Sequence, residues 1–405
     1  MSASTALSAA EPTALPETMV AARLHAMGQK LRLDTIPVPR PRPNDVLVEV
    51  KACGIVPNLR RVIANVFGTQ MPDPKLFPPL PAIFGLDPAG VVAAVGEHVT
   101  AIRPGTRVYV NPGRSCGSCR MCRHGRTLDC PAFTFQGYFG RSLDLMTAYP
   151  YGGFAQYITA PATSLVALPD AVSFEEAARL GYLGTAYSAL KKVIGGPGDT
   201  VLINGISGVL GLCAALLALA MGAGRILGTG RDTALLERVR QLAPDRITVH
   251  STRDEVTPAD GDSDSFTAWV GANTDGAGLD AVVDCLPPGA PASALLRPIR
   301  ALRRGGSAVN IGAVSEPLTV NPFWLAANRI SQHGSVWFTT AEGEEIVAMA
   351  ATGQLDLSPF QHRVSPLTNV NEALAALADN KDGGFANHVV KPGWLSGAPS
   401  DNAEK

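Results

Sequence analysis

A glycine-rich turn between a strand and a helix constrains the fold of this chain most. Residues 200–204 form a short β-rich apolar run, and Gly205, Gly208 and Gly211 follow at three-residue spacing. Residues 209–221 are almost wholly apolar and rich in Ala and Leu, which favour helix. A second apolar run then begins. This order predicts a βαβ unit whose first turn admits a pyrophosphate against backbone N–H groups at a helix N-terminus. A ligand-free tight turn is the alternative, which the flanking strand and helix make less favoured.

Composition excludes several other classes of protein. The 405 residues are 46% hydrophobic and 17% charged, with a net charge of −1, so nothing favours nucleic acid or an anionic membrane surface as a partner. The longest apolar run, 209–221, is too short to cross a bilayer. Residues 1–18 have no basic start and no long apolar core, so we expect a disordered extension and not a signal peptide. Residues 394–405 are expected to be a similar tail, and the cytoplasm is the expected compartment.

The pattern of apolar residues divides the chain into two kinds of structure. Residues 19–33 and 45–53 are predicted strands, and further short strands separated by Gly and Pro continue to about residue 168. From about residue 173, helical and strand patterns alternate, which indicates a parallel, doubly wound sheet. Residues 356–392 return to short strands around a helix. The predicted fold class is therefore α/β, with a β-rich, barrel-like first unit.

Four of the seven cysteines cluster at the spacing C-x2-C-x2-C-x7-C: Cys116, Cys119, Cys122 and Cys130. Four thiolates on short loops fit a closed tetrahedral Zn²⁺ site, which leaves no position for substrate and serves to hold a loop in shape. Unliganded thiols and an iron–sulfur cluster are the alternatives. The other three cysteines are scattered, so the pattern does not indicate a disulfide framework.

Taken together, these features resemble the medium-chain dehydrogenase/reductase superfamily, in its zinc-type alcohol dehydrogenase branch. The resemblance is carried by the four-cysteine lobe, the glycine turn and four further stretches: VEVKACGI (48–55), FGLDPAGVVAAVGEHVT (84–100), PGTRVYV (104–110) and LRRGGSAVNIG (302–312). It implies a GroES-like catalytic domain over 19–172 with the zinc lobe at 111–135. It also implies a Rossmann domain over 173–340 and a return to the catalytic domain over 341–393. The active site would be the cleft between the two domains.

The residues that normally bind catalytic zinc in that family are replaced here. The resemblance puts Val56, Leu86 and Gly181 at the three ligand positions, and none of these side chains can bind Zn²⁺. Asp87 alone remains as a possible ligand. The resemblance therefore implies one structural Zn²⁺ per chain and no catalytic Zn²⁺.

Three residues are the candidates for catalysis. Asn58 stands at the family's proton-relay position and can hydrogen-bond a substrate oxygen; a turn residue is the alternative. Tyr182 neighbours the lost third ligand and can donate a proton, or it is a packing aromatic. Asp87 can orient a donor or pair with a cationic substrate. A structural partnership with Arg60 or Arg61 is the slightly favoured alternative for Asp87.

The end of the second strand of the βαβ unit indicates the cofactor. Gly230 stands where an acidic residue would bind the ribose of NAD, and Arg231 follows, which suits the 2′-phosphate of NADP. NADP(H) is therefore predicted, whereas Asp232 would favour NAD(H) if it occupied the ribose position. Trp324 is a further pocket candidate, with core packing as its favoured alternative. The other predicted cofactor contacts lie on the phosphate turn, near the nicotinamide or in loops after later strands: Thr185, Gly205, Ser207, Gly208, Val209, Leu210, Gly211, Cys285, Gly312, Ala313, Val314, Trp337 and Phe338.

The predicted chemistry is hydride transfer without a Lewis acid. A substrate must then be electrophilic itself, as an iminium ion, an activated alkene or a reactive carbonyl is. We expect an NADPH-dependent reductase of a small molecule. A reversible alcohol or aldehyde dehydrogenase that manages without catalytic zinc is one alternative, and a non-catalytic NADP(H)-binding protein is another. The resemblance also implies a homo-oligomer, a homodimer or a tetramer.

Overall fold

The structure is a computed structural model that describes residues 15–64, 76–253, 264–379 and 381–395. Most of the predicted extension (1–18) and tail (394–405) lies outside these residues. At the two ends that are described, the first strand starts at Thr18, and the Trp394 carbonyl accepts a hydrogen bond from the Leu367 N–H at 3.1 Å.

Strands make up most of the first and last parts of the chain and alternate with helices between them. The strands are β1 Thr18–Leu24, β2 Arg32–Pro37, β3 Asp45–Gly54, β4 Ala82–Ile83, β5 Asp87–Val95, β6 Arg107–Val110, β7 Gly113–Arg114, β8 Thr134–Phe135, β9 Tyr157–Pro161, β10 Leu165–Ala167, β11 Thr200–Asn204, β12 Arg225–Gly230, β13 Ile247–Ser251, β14 Leu279–Asp284, β15 Leu302–Asn310, β16 Ser331–Gly334, β17 Gln361–Pro366 and β18 Ala386–Lys391. The α-helices of the described residues are α1 Leu59–Ile63, α2 Arg120–Arg123, α3 Leu143–Ala148, α4 Phe174–Ala177, α5 Leu180–Val193, α6 Val209–Ala220, α7 Thr233–Arg240, α8 Asp264–Asn273, α9 Ala292–Arg300, α10 Pro322–Asn328, α11 Thr340–Ala351 and α12 Val370–Ala376.

The β-rich unit is organised around β3. Its sheet has the order β10-β6-β5-β3-β18-β17, and β9 also pairs with β3. Strand β5 covers one edge of β3, while β9 and β18 share the other edge: Asp45 to Glu49 pair with β9, and Cys53 and Gly54 pair with β18. The last strands of the chain therefore complete the sheet that the first strands begin.

The predicted single strand over residues 19–33 is wrong, because this segment turns back on itself. Strands β1 and β2 form an antiparallel hairpin that pairs Thr18 with Pro37 and Arg23 with Arg32. Gly28 lies in the connection with φ +75°, a conformation that a residue without Cβ adopts at little cost. The connection contains no proline, asparagine or aspartate, so Gly28 is its one strong turn residue and the turn is not apparent from the sequence.

The central unit is a six-stranded parallel sheet of order β13-β12-β11-β14-β15-β16. Its central strand β11 is buried on both faces: Val201 and Ile203 belong to the larger core cluster, and Leu202 belongs to a second cluster that includes Phe266. From β11 the chain moves first toward β13 and later, from β14, toward β16. The carboxyl ends of β11 and β14 therefore flank the switch point, where doubly wound sheets bind their ligands.

Candidate functional site

The glycine turn after β11 has the geometry of a phosphate cradle. Gly205 has φ +85°, and its N–H donates to the Thr229 carbonyl at 3.1 Å. A Cβ on Gly211 would lie 2.1 Å from the Gly205 carbonyl oxygen, so only glycine lets α6 start this close to the turn. Helix α6 has Gly208 as its N-cap, and no side chain caps it. Its first N–H groups thus remain to bind an anion, and these residues fit a dinucleotide pyrophosphate.

A strap from the last part of the chain lies against this turn. The Gly384 N–H donates to the Ser207 carbonyl at 2.9 Å, and a Cβ on Gly384 would lie 2.4 Å from the Gly208 carbonyl oxygen. The buried guanidinium of Arg179 donates to the Gly384 carbonyl at 2.7 Å. The phosphate turn is therefore tied to the start of α5 and to the segment before β18.

The end of β12 separates the two residues on which the cofactor prediction depends. Asp232 caps α7, because its carboxylate accepts the Leu235 N–H at 3.0 Å. Arg231 is exposed and follows Gly230 at the strand end. Arg253, which the sequence analysis did not select, donates from Nε to the Arg231 carbonyl at 2.9 Å. Two guanidinium-bearing residues thus stand together where an acidic ribose ligand would be.

A buried polar ladder crosses the carboxyl ends of β12, β11 and β14. Thr229 donates to the Asn204 side chain at 2.7 Å, and Asn204 donates to the Asp284 carboxylate at 2.9 Å. Burial raises the pKa of Asp284 to about 6, against the hydrogen bond from Asn204. The N–H of Gly312, a predicted cofactor residue, donates to the Asp284 carbonyl at 2.9 Å. Sequence reasoning missed this ladder, although each member ends a predicted strand.

The remaining predicted loop residues follow the same strand ends. Cys285 is half-buried directly after β14, and burial raises the pKa of its thiol. The Ala313 N–H donates to the Leu286 carbonyl at 2.8 Å. Val314 and Trp324 pack against the second core cluster of the parallel sheet, so the packing alternative for Trp324 has structural support.

The four clustered cysteines fit a tetrahedral zinc ion. Their sulfur atoms all lie within 4.8 Å of one another, and three of the Sγ–Sγ distances are 3.6, 3.6 and 3.9 Å. Four thiolates at the usual Zn–S bond length lie about 3.8 Å apart, so little rearrangement is needed. Within the described ranges, Cys116, Cys119, Cys122 and Cys130 form the one group of three or more Cys, His, Asp or Glu residues with suitable metal-binding geometry.

Asp87 forms the centre of a buried polar cluster. It is 1% exposed, and its carboxylate accepts the Tyr109 hydroxyl at 2.8 Å. Burial raises its pKa to about 7, although the Tyr109 hydrogen bond, the Arg179 charge and the Gly181 N–H all act to lower it. The expected partnership with Arg60 or Arg61 is therefore wrong. The N-terminal end of α5 brings Arg179 to Asp87 instead, from a distant part of the sequence.

Gly181 and Asp87 share one space. A Cβ on Gly181 would lie 2.1 Å from the Asp87 Oδ1 and 2.7 Å from its Cγ. Val56 and Leu86, at the other two positions where the resemblance puts zinc ligands, are both buried and apolar. The carboxyl group of Asp87 thus occupies the volume that any side chain at position 181 would enter.

Asn58 faces a tyrosine that the sequence did not indicate. Asn58 stands at the N-cap position of α1, but its side chain makes no capping hydrogen bond. It instead accepts the Tyr138 hydroxyl at 2.5 Å. Burial, followed by the nearby Tyr182 and Asp87, raises the pKa of Tyr138. Tyr138 therefore lies near Asn58, Tyr182 and Asp87. The interpretation of Asn58 as a turn residue does not account for the contact that its side chain makes.

Tyr182 lies beside Arg179 at the start of α5. The guanidinium carbon of Arg179 is 5.2 Å from the centre of the Tyr182 ring, within the range of a cation–π contact. Burial raises the pKa of the Tyr182 hydroxyl, so it stays protonated at neutral pH and can donate a hydrogen bond. The structure thus brings together all three predicted catalytic residues, and adds Tyr109, Tyr138 and Arg179 to them.

An aromatic wall closes this neighbourhood. The Phe338 ring stacks on Tyr109 with centroids 6.3 Å apart, and Trp337 packs edge-on against Phe135. Gly184 makes room for Phe338, because a Cβ there would lie 2.2 Å from the ring. Thr185 follows Gly184, and its hydroxyl donates to the Gly181 carbonyl at 2.8 Å. The predicted nicotinamide residues therefore border the Asp87 cluster.

No helix in the described part of the chain is long and apolar enough to cross a membrane.

Comparison with known proteins gives matches along most of the chain. Residues 42–170 match the family model of the alcohol dehydrogenase GroES-like domain, and residues 209–352 match that of the zinc-binding dehydrogenases. A sorbitol dehydrogenase of Bacillus subtilis is 31% identical over 79% of this chain and 82% of its own length. An alcohol dehydrogenase of Geobacillus stearothermophilus is 31% identical over 87% of this chain and 94% of its own length. The crystal structure of an NAD-dependent alcohol dehydrogenase superposes with a TM-score of 0.73 at 28% identity, over 92% of this chain and 99% of that one.

Proposed function

Because the chain belongs to the medium-chain dehydrogenase/reductase superfamily, in its alcohol dehydrogenase-like branch, and is an oxidoreductase, we propose that it is an NADPH-dependent reductase. Its substrate is a small molecule with an activated C=O, C=N or C=C group. It carries one structural zinc in the four-cysteine lobe and acts without a catalytic zinc.

The observation that carries this proposal is the shared space of Asp87 and Gly181. The Asp87 carboxyl lies where a side chain from position 181 would enter, and Tyr109 and Arg179 hold it there. A zinc site of three protein ligands would need side chains of another kind at 56, 86 and 181. The packing around Asp87 supports a site built from hydrogen-bond donors instead.

The residues around Asp87 supply what a hydride acceptor needs. A bound nicotinamide would provide the hydride. Asn58 accepts the Tyr138 hydroxyl at Oδ1, so its amide N–H₂ is left to donate toward a substrate oxygen or nitrogen. Tyr182 can donate the proton that completes the reduction, with its ring held by Arg179. Such fixed donors stabilise the negative charge that develops on an enolate or alkoxide.

Arg231 and Arg253 support NADPH as the cofactor. A guanidinium pairs well with a phosphate, and Asp232 is already engaged in capping α7. NAD(H) is the competing cofactor, since the compared crystal structure is of an NAD-dependent enzyme. The glycine turn serves either one, so the discrimination rests on the end of β12.

Reversible alcohol oxidation is the competing activity. The names of the two relatives favour it, because both are dehydrogenases of alcohols or polyols. A simple alcohol gains most from a Lewis acid, and the arrangement at 56, 86 and 181 supplies none.

Steady-state kinetics separates the two activities. NADPH oxidation is measured with a cyclic imine, an enone and an aromatic ketone, and NAD(P)⁺ reduction is measured with the matching alcohols. We expect at least one of the three reductions to be faster than every alcohol oxidation. Asn58→Ala should lower the kcat of that reduction. The control Asn371→Ala alters an asparagine that binds Leu31 in another part of the structure, and it should leave kcat unchanged. Alcohol oxidation faster than every reduction would refute the proposal.

We also propose a homo-oligomer, as a dimer or tetramer, in the cytoplasm, with no nucleic acid or membrane partner. Light scattering of the purified protein measures the oligomeric state, and the mass of a monomer would contradict the proposed homo-oligomer.

A further inference from the structure

Asn111 joins the cysteine lobe to the aromatic wall. It follows β6 directly and is 3% exposed. Its Nδ2 donates to the Phe338 carbonyl at 3.2 Å, and its Oδ1 accepts the Trp337 indole N–H at 2.8 Å. The same Oδ1 accepts the Gly113 N–H at 3.0 Å, at the base of the lobe. One buried amide therefore uses both of its ends on a dipeptide more than 200 residues away.

The dipeptide that Asn111 holds has a strained backbone. Trp337 has φ +66°, which is rare for a bulky residue because its Cβ crowds the carbonyl oxygen. Such a conformation persists only where its surroundings enforce it. The two hydrogen bonds from Asn111 bracket this residue, one on its side chain and one on the next carbonyl. The indole is 6% exposed, so both bonds are shielded from water.

The position of Phe338 follows from that of Trp337. Phe338 stacks on Tyr109, and Tyr109 donates to Asp87. On its other side, the Phe338 ring fills the space left by Gly184, next to Thr185. A relaxed Trp337 would turn the following residue and move the ring away from both contacts.

We propose that Asn111 is a positioning residue for the reaction. By holding Trp337 in its strained conformation, it keeps the Phe338 ring against Tyr109 and Gly184, and thereby fixes the place where the substrate meets the nicotinamide. Asn111 itself touches neither, and this role rests on the reductase function proposed above.

The test compares two asparagines that make the same kind of contact. Asn111→Leu removes both hydrogen bonds to the dipeptide. Asn371→Leu is the matched control, because Asn371 binds both the N–H and the carbonyl of Leu31 at 2.9 Å in another part of the structure. We expect Asn111→Leu to lower kcat by about tenfold to a hundredfold, since small misplacements of reacting groups cost that much. The KM for NADPH should change by less than about threefold, because the phosphate turn is untouched.

Tryptophan emission gives a readout that needs no substrate. Asn111→Leu should change the emission spectrum and reduce its response to added NADPH. When Trp337→Phe is made in both the wild type and Asn111→Leu, this difference between them should disappear. Asp at position 111 keeps an acceptor for the indole and loses the donor to Phe338, so Asn111→Asp should fall between the wild type and Asn111→Leu in kcat.

Two results would overturn the proposal: equal kcat losses in Asn111→Leu and Asn371→Leu, or an NADPH response that Asn111→Leu leaves intact. If the wild type reduces no substrate class, the reductase function fails, while the emission measurements still decide whether Asn111 positions Trp337 at the cofactor.

Discussion

Asp87 illustrates how a single residue acquires its properties from distant segments. The carboxyl group comes from the first residue of β5, its hydroxyl partner from β6, and the neighbouring guanidinium from the residue before α5. Burial favours the protonated form, and these partners favour the charged one. The balance puts its pKa at about 7, so the protonation state changes within the physiological range.

This pKa makes stability depend on pH. A carboxyl whose pKa rises from 3.8 to about 7 on folding stabilises the fold fully below about pH 4 and loses that contribution as pH rises through 7. The slope is at most about 1.4 kcal/mol per pH unit for one group. Denaturant unfolding between pH 4 and 8 should therefore show less loss of stability in Asp87→Asn than in the wild type.

Asp284→Asn is the comparison for that measurement. The pKa of Asp284 is raised to about 6, so its substitution should remove pH dependence only between about pH 4 and 6. Above pH 6, the free energy of unfolding should depend less on pH in Asp87→Asn than in the wild type. Equal pH dependence in the two proteins would show that the Asp87 carboxyl is already ionised in the folded protein.

Arg231 should determine the choice of cofactor. Arg231→Ala should weaken NADPH binding by about tenfold to a hundredfold, because a charge-assisted pair with the 2′-phosphate is lost. NADH binding should stay within about twofold, since that ribose carries no phosphate. Arg32→Ala, on the exposed side of β2, controls for the loss of one positive charge. Dissociation constants from nucleotide fluorescence titration measure both effects. Equal losses for the two nucleotides would exclude a role in 2′-phosphate recognition.

Sequence reasoning selected Asn58, Asp87 and Tyr182 as candidates, but it selected none of the side chains that they contact. Their motifs lie near recognisable strand ends, so a family pattern points to them. Tyr109, Tyr138 and Arg179 are brought in by tertiary packing, which leaves no periodic signal in the sequence. Arg60 and Arg61 are closer in sequence to the candidate site, and this proximity misled the expectation for Asp87.

At the scale of elements, the glycine turn and α6 were the most predictable part of the chain. A short buried strand, three glycines and an apolar helix leave few arrangements, and the structure has β11, α6 and β12 within about two residues of the expected bounds. The β1–β2 hairpin was not predicted, since no strong turn residues except Gly28 mark its connection. The parallel pairing of β17 with β18 depends on tertiary contacts, and local sequence carries no sign of it.

Gly211 should be the least replaceable residue of the turn. In Gly211→Ala the new Cβ would meet the Gly205 carbonyl at 2.1 Å, so either the helix or the turn must move. We expect a loss of stability of about 1–3 kcal/mol and at least about tenfold weaker NADPH binding. Gly196→Ala is the matched control, since a Cβ there has no atom within 4 Å. Thermal unfolding and nucleotide titration test both variants, and a fully functional Gly211→Ala would mean that the turn adapts more readily than its packing implies.

At the scale of the whole molecule, the zinc content tests whether the protein holds a structural zinc and no catalytic zinc. Four clustered thiolates predict about one zinc per chain, and the cluster around Asp87 predicts none. Mass spectrometry of the metal content of the purified protein should therefore find about one zinc per chain. This content should fall toward zero in Cys116→Ser. Cys213→Ala, in the core of α6, should keep the wild-type content. A second zinc that survives in Cys116→Ser would contradict the proposed chemistry.

The division of β3 between β9 and β18 has a consequence for protein synthesis. On the edge of β3 that faces away from β5, residues 53 and 54 pair with β18, which leaves the ribosome more than 300 residues later. The parallel sheet between them has all of its strands by residue 334, so it can form while the earlier sheet still has an open edge. An open edge pairs readily with other chains. Premature termination before residue 386 would therefore release a chain whose open sheet edge makes it prone to aggregate. The last strand protects the newly made protein because it covers that edge.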